Sequence, residues 1–169
     1  ESLQDDEILR IKLFGVEFIS CKSGTLVTLL YHKKLDGEFE AAMKILASKL
    51  DVMILARSRG QKLLSGELNL VDELNVDGQI YKFSLSENAF IQPNKAVNEK
   101  MIAWAKECVQ SGADLLELYC GHGNFTIPLS FKFKNVLATE ISKSSIANAL
   151  KNCELNGAEN IKFLRMDAD

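Results

Sequence analysis

Asp114-Leu115-Leu116-Glu117-Leu118-Tyr119-Cys120-Gly121-His122-Gly123-Asn124-Phe125 is the stretch on which the reading of this chain turns. Leu115 to Leu118 has the apolar character of a buried parallel strand. It breaks into a glycine turn, and the chain then enters a helix. Gly121 and Gly123 let the backbone pass close to a ligand where a β-carbon would collide. An acidic residue answers the loop downstream: Glu140 closes the apolar run Val136-Leu137-Ala138. Strand, glycine turn, helix, strand and acid together make the first half of a nucleotide-type cofactor site.

Outward from this stretch, the pattern from Asp114 alternates strand, loop, helix, strand, helix, strand, which argues for a parallel sheet. Ser142 is expected to cap a helix over residues 143–156. Its buried face would be Ile146, Ala149, Leu150 and Cys153, with Gly157 just beyond its end. Ile161 to Met166 reads as the third parallel strand. Upstream, Pro93 and Asn94 look like a helix entry. Val97, Met101, Trp104, Ala105 and Cys108 form that helix's apolar stripe, and Gly112 ends it.

Before residue 88 the organisation differs. Arg10 to Leu13 has period-two alternation, which Val16 to Ile19 extends, and Thr25 to Tyr31 is a second strand. Asp36-Gly37 marks a turn. Phe39, Ala42, Met43, Leu46 and Leu50 recur at helical spacing, so residues 38–50 read as an amphipathic helix. Val52 to Ala56 is a third strand. Lys62 to Leu64 and Ile80 to Leu85 are weaker strands. The expected organisation is a small α+β region over residues 1–87, followed over residues 88–169 by the first half of an α/β, Rossmann-like domain. The chain stops soon after its third parallel strand, and a doubly wound domain needs more than that. The expectation is therefore part of an enzyme.

The loop chemistry narrows the ligand. A dinucleotide fingerprint wants a third glycine, where this chain has Thr126. S-adenosylmethionine carries no phosphate and does not need a helix dipole. It needs space beside the loop and acceptors for its ammonium and ribose groups. Glu117 lies within the strand before the loop. Glu140, at a strand end, can accept from both ribose hydroxyls. The bland alternative is a tight strand–helix turn that binds nothing. Cys120 reads as a packed loop residue rather than a nucleophile, since its only nearby base is His122. His122 reads as a solvent-facing loop residue rather than a general base. Asp167 suits either an adenine contact or a solvated loop.

Composition excludes several classes. No apolar run approaches the roughly 20 residues of a membrane span, and no secretory signal is visible. Cys21, Cys108, Cys120 and Cys153 include no C-x-x-C pair, so neither a metal centre nor a disulfide framework is expected, and a reducing cytoplasm is. A net charge of −3 argues against binding nucleic acid through bulk charge, but not against a local basic patch. Two candidate patches are His32-Lys33-Lys34 and Arg57-Ser58-Arg59-Gly60-Gln61-Lys62, each in a loop after a strand. Either could equally be an ordinary solvated loop.

Three segments carry a resemblance: Tyr31-His32-Lys33-Lys34-Leu35-Asp36, Glu87-Asn88-Ala89-Phe90-Ile91-Gln92-Pro93-Asn94, and Leu115 to Phe125. With Ala138-Thr139-Glu140-Ile141 they resemble the tRNA (uracil-5-)-methyltransferase family over nearly the whole chain. The resemblance implies a class I methyltransferase domain. It implies methyl transfer from S-adenosylmethionine to C5 of uridine 54 in the tRNA T-loop. It also implies that Gln92, Tyr119, Asn124 and Glu140 contact the cofactor, that Gly121 lines the loop, and that Phe90 lies against the target base or beside its pocket. The family's cysteine nucleophile sits in a Ser-Cys-Asn-Pro segment, and another site aspartate in an Asp-Pro-Pro-Arg segment. Neither occurs in these 169 residues. No catalytic residue is assigned, and the chain by itself is expected to be inactive. Its truncated sheet would leave a strand edge open to self-association. The alternative is a non-catalytic module that binds S-adenosylmethionine or RNA.

Overall fold

A computed structural model describes residues 3–87 and 90–166. The chain divides into two compact units, Glu1–Leu70 and Val71–Asp169.

The first unit contains α1 (Glu7–Arg10), β1 (Leu13–Cys21), β2 (Gly24–Tyr31), α2 (Gly37–Leu50), β3 (Met53–Ser58) and β4 (Gln61–Leu64). They form a sheet of order β1-β2-β3-β4. β2 and β3 run parallel, with α2 as the crossover such a pair requires, and the other two pairings are antiparallel. The strand expected from Arg10 starts later. Asp6 accepts from the backbone N–H of Ile8 and Leu9, both at 2.9 Å, and this cap draws residues 7–10 into a helical turn. Asp36-Gly37 is likewise a cap and not a turn, because the Asp36 carboxylate accepts from Phe39 N at 2.9 Å and opens α2. Tyr31, Phe39, Met43, Leu29 and Ile54 are buried at the centre of the core. Tyr31 and Phe39 meet edge to face, with centroids 4.9 Å apart. The Tyr31 hydroxyl donates to Leu9 O at 2.7 Å, so this buried polar atom is satisfied.

The second unit opens with a two-stranded sheet, β5 (Leu70–Val76) and β6 (Gln79–Leu85). Asp77 and Gly78 join them, both at positive φ (53° and 83°), as a two-residue hairpin turn requires. α3 (Lys95–Cys108) comes next, capped by Asn94, which accepts from Val97 N. Then come β7 (Gly112–Glu117), α4 (Thr126–Ser130), β8 (Phe133–Glu140), α5 (Lys143–Asn156) and β9 (Ile161–Arg165). The last three strands form a parallel sheet of order β7-β8-β9. This is the α/β, Rossmann-like arrangement expected.

The sequence reading changes organisation at residue 88, whereas the compact units meet after Leu70. The reason lies in α5. Asn156 accepts from Lys82 N (2.8 Å) and donates to Lys82 O (2.7 Å), and Asn152 accepts from Ser84 N (2.7 Å). These bonds tie β6 to the second unit.

Two helix faces also depart from expectation. In α3 the buried residues are Asn98 and Ile102, whereas Trp104, on the expected stripe, is 67% exposed. In α5 Ala149, Asn152 and Cys153 are buried and Leu150 is exposed. Gly112 opens β7 instead of ending α3. The C-terminus of α3 is closed by Lys132, whose ammonium donates to Lys106 O and Val109 O. Ser142 and Gly157 (φ 65°) bound α5 as expected.

Candidate functional site

A cavity of about 230 Å³ opens at the carboxyl end of β7. Its floor is the loop between β7 and α4, and α5 contributes Ser144, Ser145 and Asn148 from its first turns. The loop turns sharply because Tyr119, Gly121 and Gly123 all adopt positive φ (57°, 58° and 90°). At Gly123 a β-carbon would sit 3.1 Å from Ile127 Cδ1, so side-chain packing as well as backbone conformation asks for glycine. At Gly121 a β-carbon would meet nothing within 4 Å; what asks for glycine there is the conformation.

Gln92, Tyr119, Gly121, Asn124 and Phe90 all line this cavity. Glu140 does not. Its carboxylate accepts from Gly121 N at 3.0 Å and Ser142 N at 2.7 Å. It thereby joins the loop to the start of α5, and each oxygen keeps a second lone pair for another donor. Asn124 is held by a reciprocal amide pair with Asn98 of α3, both bonds at 2.9 Å. Asp167 lies outside the described residues.

His122 is not the solvent-facing residue expected. It is half-buried, edge-on to Phe83 of β6 at 5.7 Å, and burial lowers its pKa by disfavouring the charged ring. Cys120 is buried, and burial, with Glu117 and Glu140 nearby, pushes its thiol up to about 12. It is a protonated packing group at neutral pH. Glu117 also lines the cavity. Burial raises its carboxyl to about 7. The neighbouring Thr126 hydroxyl tempers that rise without reaching hydrogen-bond geometry, and both Glu117 Oε2 and Thr126 Oγ1 are buried without partners.

Sequence reasoning passes over Asn152. It is fully buried, and its amide donates to His122 O at 3.0 Å while its oxygen serves Ser84 of β6. One side chain thus fixes the loop against the strand beside it. The available signal is the spacing of Asn148, Asn152 and Asn156, four apart along one helix face.

Among the described residues, no lysine or arginine lines the cavity, and α4 is a helix of only 5 residues. The lining is polar, aromatic and, at Glu117, acidic. It suits a ligand with aromatic and cationic parts and no phosphate.

In the first unit the two basic clusters lie side by side. Gln61 pairs with both backbone groups of Leu35, at 2.9 and 3.3 Å, and the Ser58 hydroxyl donates to Lys33 O. His32, Lys34, Arg59 and Lys62 are exposed. Lys33 is not part of that surface. Its ammonium donates to Ile8 O and lies over the rings of Phe39 and Tyr31. The exposed ring of Phe14 stacks on His32, 3.9 Å between centroids and 9° from parallel.

A parallel sheet entered through a glycine loop, with an acid closing the second strand, places the second unit in the Rossmann-like methyltransferase class. Among solved structures, the tRNA (uracil-54, C5)-methyltransferase of Pyrococcus abyssi, in complex with S-adenosyl-L-homocysteine, shares the fold. Its TM-score is 0.67 at 19% identity, over 88% of this chain and 38% of that one. Within the class, the chain belongs to the tRNA (uracil-5-)-methyltransferase family, whose profile matches residues 1–169. It is 98% identical over its full length to the tRNA/tmRNA (uracil-C(5))-methyltransferase of Campylobacter concisus (strain 13826), covering 46% of that protein. The corresponding protein of Campylobacter curvus (strain 525.92) is 60% identical over the same 169 residues, again 46% of its length. The chain thus spans about half the length of these curated relatives.

Proposed function

We propose that the second unit carries the S-adenosylmethionine site of an enzyme that methylates C5 of uridine 54 in the tRNA T-loop, and that the first unit presents an RNA-facing surface. The observation that carries the cofactor reading is the cavity itself. Gln92, Tyr119, Asn124 and Phe90, spread over two segments of sequence, converge on it with Glu117, and among the described residues no lysine or arginine is placed there to hold a phosphate.

The bound cofactor would supply an electrophilic methyl group. The roles of this chain are to bind and orient. Tyr119 and Phe90 offer aromatic faces, Phe90 on the side of the target base. Gln92 and Asn124 offer amides, the latter preset by Asn98. Glu140 has lone pairs left for ribose hydroxyls. A base shielded in folded RNA must be turned out of its stack to be reached. The paired rings of Phe14 and His32, beside Lys34 and Arg59, form a surface on which looped bases stack. No thiolate for attack at C6 is on offer at this cavity, because Cys120 is held protonated. The 169 residues alone are therefore expected to bind without turnover.

Calorimetry with S-adenosylhomocysteine tests the first claim, and a methylation assay on unmodified tRNA the second. Binding in the first with no product in the second is the expected pair. Binding lost altogether overturns the cofactor reading, and product formed by this chain alone overturns the inactivity.

A further inference from the structure

Asn98 is out of character for its place. It lies inside α3, where an asparagine competes poorly with the helix backbone, and the capping role there belongs to Asn94. Yet it is 5% exposed, and with Ile102 it makes up the buried side of the helix while Val97 and Trp104 stay exposed. A buried amide needs partners. Asn98 finds them in Asn124: its Nδ2 donates to Asn124 Oδ1, and its Oδ1 accepts from Asn124 Nδ2, both at 2.9 Å. Neither amide can turn over alone, because that would set N–H against N–H and oxygen against oxygen. The pair therefore fixes the plane of Asn124 and leaves it one N–H and one lone pair for other partners. The two residues have different surroundings. Asn124 lines the cavity of about 230 Å³. Asn98 lines instead a neighbouring hollow of about 20 Å³, room for a single water, which shares Gln92, His122 and Asn124 with that cavity. α3 is itself tied to the hairpin of β5 and β6, since Lys95 pairs with Asp72 at 3.0 Å and Glu99 accepts from Asn75 N at 2.8 Å. Asn98 is thus anchored independently of the glycine loop, and its route to a ligand runs through Asn124.

Resting on the cofactor reading above, we propose that Asn98 is a positioning residue: it holds the Asn124 amide in one orientation before the ligand arrives, and ligand affinity depends on that preset. Without Asn98, the Asn124 side chain rotates freely and binding must order it. Ordering one side chain corresponds to about three- to tenfold in affinity. A carboxylate at position 98 goes further. It can only accept, so it opposes Asn124 Oδ1, draws N–H groups in its place, and changes what the amide offers the cavity. The same carboxyl when protonated has a donor and an acceptor, and reproduces both bonds of the pair.

The test is calorimetry with S-adenosylhomocysteine, with melting curves alongside. Asn98→Leu, similar in shape but apolar, should melt close to the unmodified chain and bind about three- to tenfold more weakly. Added to Asn124→Ala, the same change should weaken binding no further, because the residue through which it acts is gone. Asn98→Asp should give a pH profile. Its affinity, as a ratio to that of the unmodified chain at the same pH, should approach one as pH falls to 5 and drop about tenfold or more at pH 8. The titratable groups that line the hollow with residue 98 are His122 and the Lys95–Asp72 pair. Both proteins share them, so the ratio isolates position 98. Should Asn98→Leu fail to fold, the Asn98→Asp profile decides. Unchanged affinity in Asn98→Leu, a further loss when it is added to Asn124→Ala, or a ratio flat with pH overturns the role of Asn98 and leaves the cofactor reading intact. No binding by the unmodified chain overturns both.

Discussion

The two units differ in how completely they bury their own sheets. In the first, α1 and α2 pack over β2 and β3, and Leu29, Phe39, Met43 and Ile54 are almost fully sealed. In the second, one face of the parallel sheet is covered, with Val136 and Ala138 buried, whereas Leu116, Leu137 and Leu164 of the other face stay exposed. A parallel sheet ordinarily has cover on both faces. The same residue type therefore has a different energetic meaning in each unit. Leu29→Ala, at a fully buried position, should cost about 2–5 kcal/mol in chemical denaturation. Leu116→Ala, at 59% exposure, should cost less than about 1 kcal/mol. Equal costs at the two positions would break the comparison. Among the described residues β7 pairs with β8 alone, and that edge, with the bare face, is expected to promote self-association. Light scattering that finds a monodisperse monomer at high concentration would remove that expectation.

Glu117 sharpens the contrast, because it places a destabilising group inside the unit whose sheet is less fully covered. Its carboxyl is raised in the folded state, from 4.5 to about 7. Linkage gives the sign. The folded chain holds the proton more tightly than the unfolded one, so the stability contributed is complete below 4.5 and is lost as pH rises through about 7. A shift of that size corresponds to about 3 kcal/mol at pH 8. Glu117→Gln should remove this pH dependence and make the ligand-free protein more stable than the parent at pH 8, with little difference at pH 4. Parallel stability curves for the two proteins between pH 4 and 8 would contradict the assignment.

Asn152 comes next in size. Replacing it with alanine leaves the buried Ser84 N–H and the His122 carbonyl without their partner, which should cost about 1–3 kcal/mol. Asn148→Ala, on the same face but lining the cavity, should affect ligand affinity more than stability. Melting curves and calorimetry on the pair would separate scaffold from site. The reverse ranking would mean that the asparagine spacing has been misread.

Much of this is legible in the sequence wherever local chemistry decides. The glycine loop, the caps Asn94 and Ser142 and the terminator Gly157 appear as read, and so does the period of α2 except at Leu50, which is exposed. Where tertiary contacts decide, the sequence misleads. The apolar stripe of α3 is turned outward because its buried side is occupied by Asn98, which serves Asn124. α5 hides asparagines rather than Leu150 because β6 needs hydrogen-bond partners that an apolar side chain cannot supply. β5 escapes the sequence reading although Asp77-Gly78, between alternating residues, is a hairpin signal; the pair Asp36-Gly37, identical in type, is a helix cap instead. Only the downstream residues tell the two pairs apart: a helical period after Gly37, a strand period after Gly78. At the site, convergence of Gln92 with Tyr119 and Asn124 is implied by the family resemblance and not by spacing, since residues this far apart are joined by the fold alone.

The smallest expected effect on stability falls at Phe14, an apolar residue of the well-packed unit that takes no part in its core. Its ring is 57% exposed and rests on His32, itself exposed. Phe14→Ala should change unfolding free energy by no more than about 0.5 kcal/mol. If the ring pair is a stacking surface for RNA, the same change should weaken tRNA binding by about 1–3 kcal/mol, the range for loss of a base–aromatic stack. Lys34→Ala should weaken binding too, but through charge, so its effect should fade as salt rises while that of Phe14→Ala persists. Filter binding at two salt concentrations, with melting curves alongside, distinguishes these. A large loss of melting temperature on Phe14→Ala with unchanged tRNA affinity would return this ring to the core and leave the exposed face of the first unit without a reader of RNA.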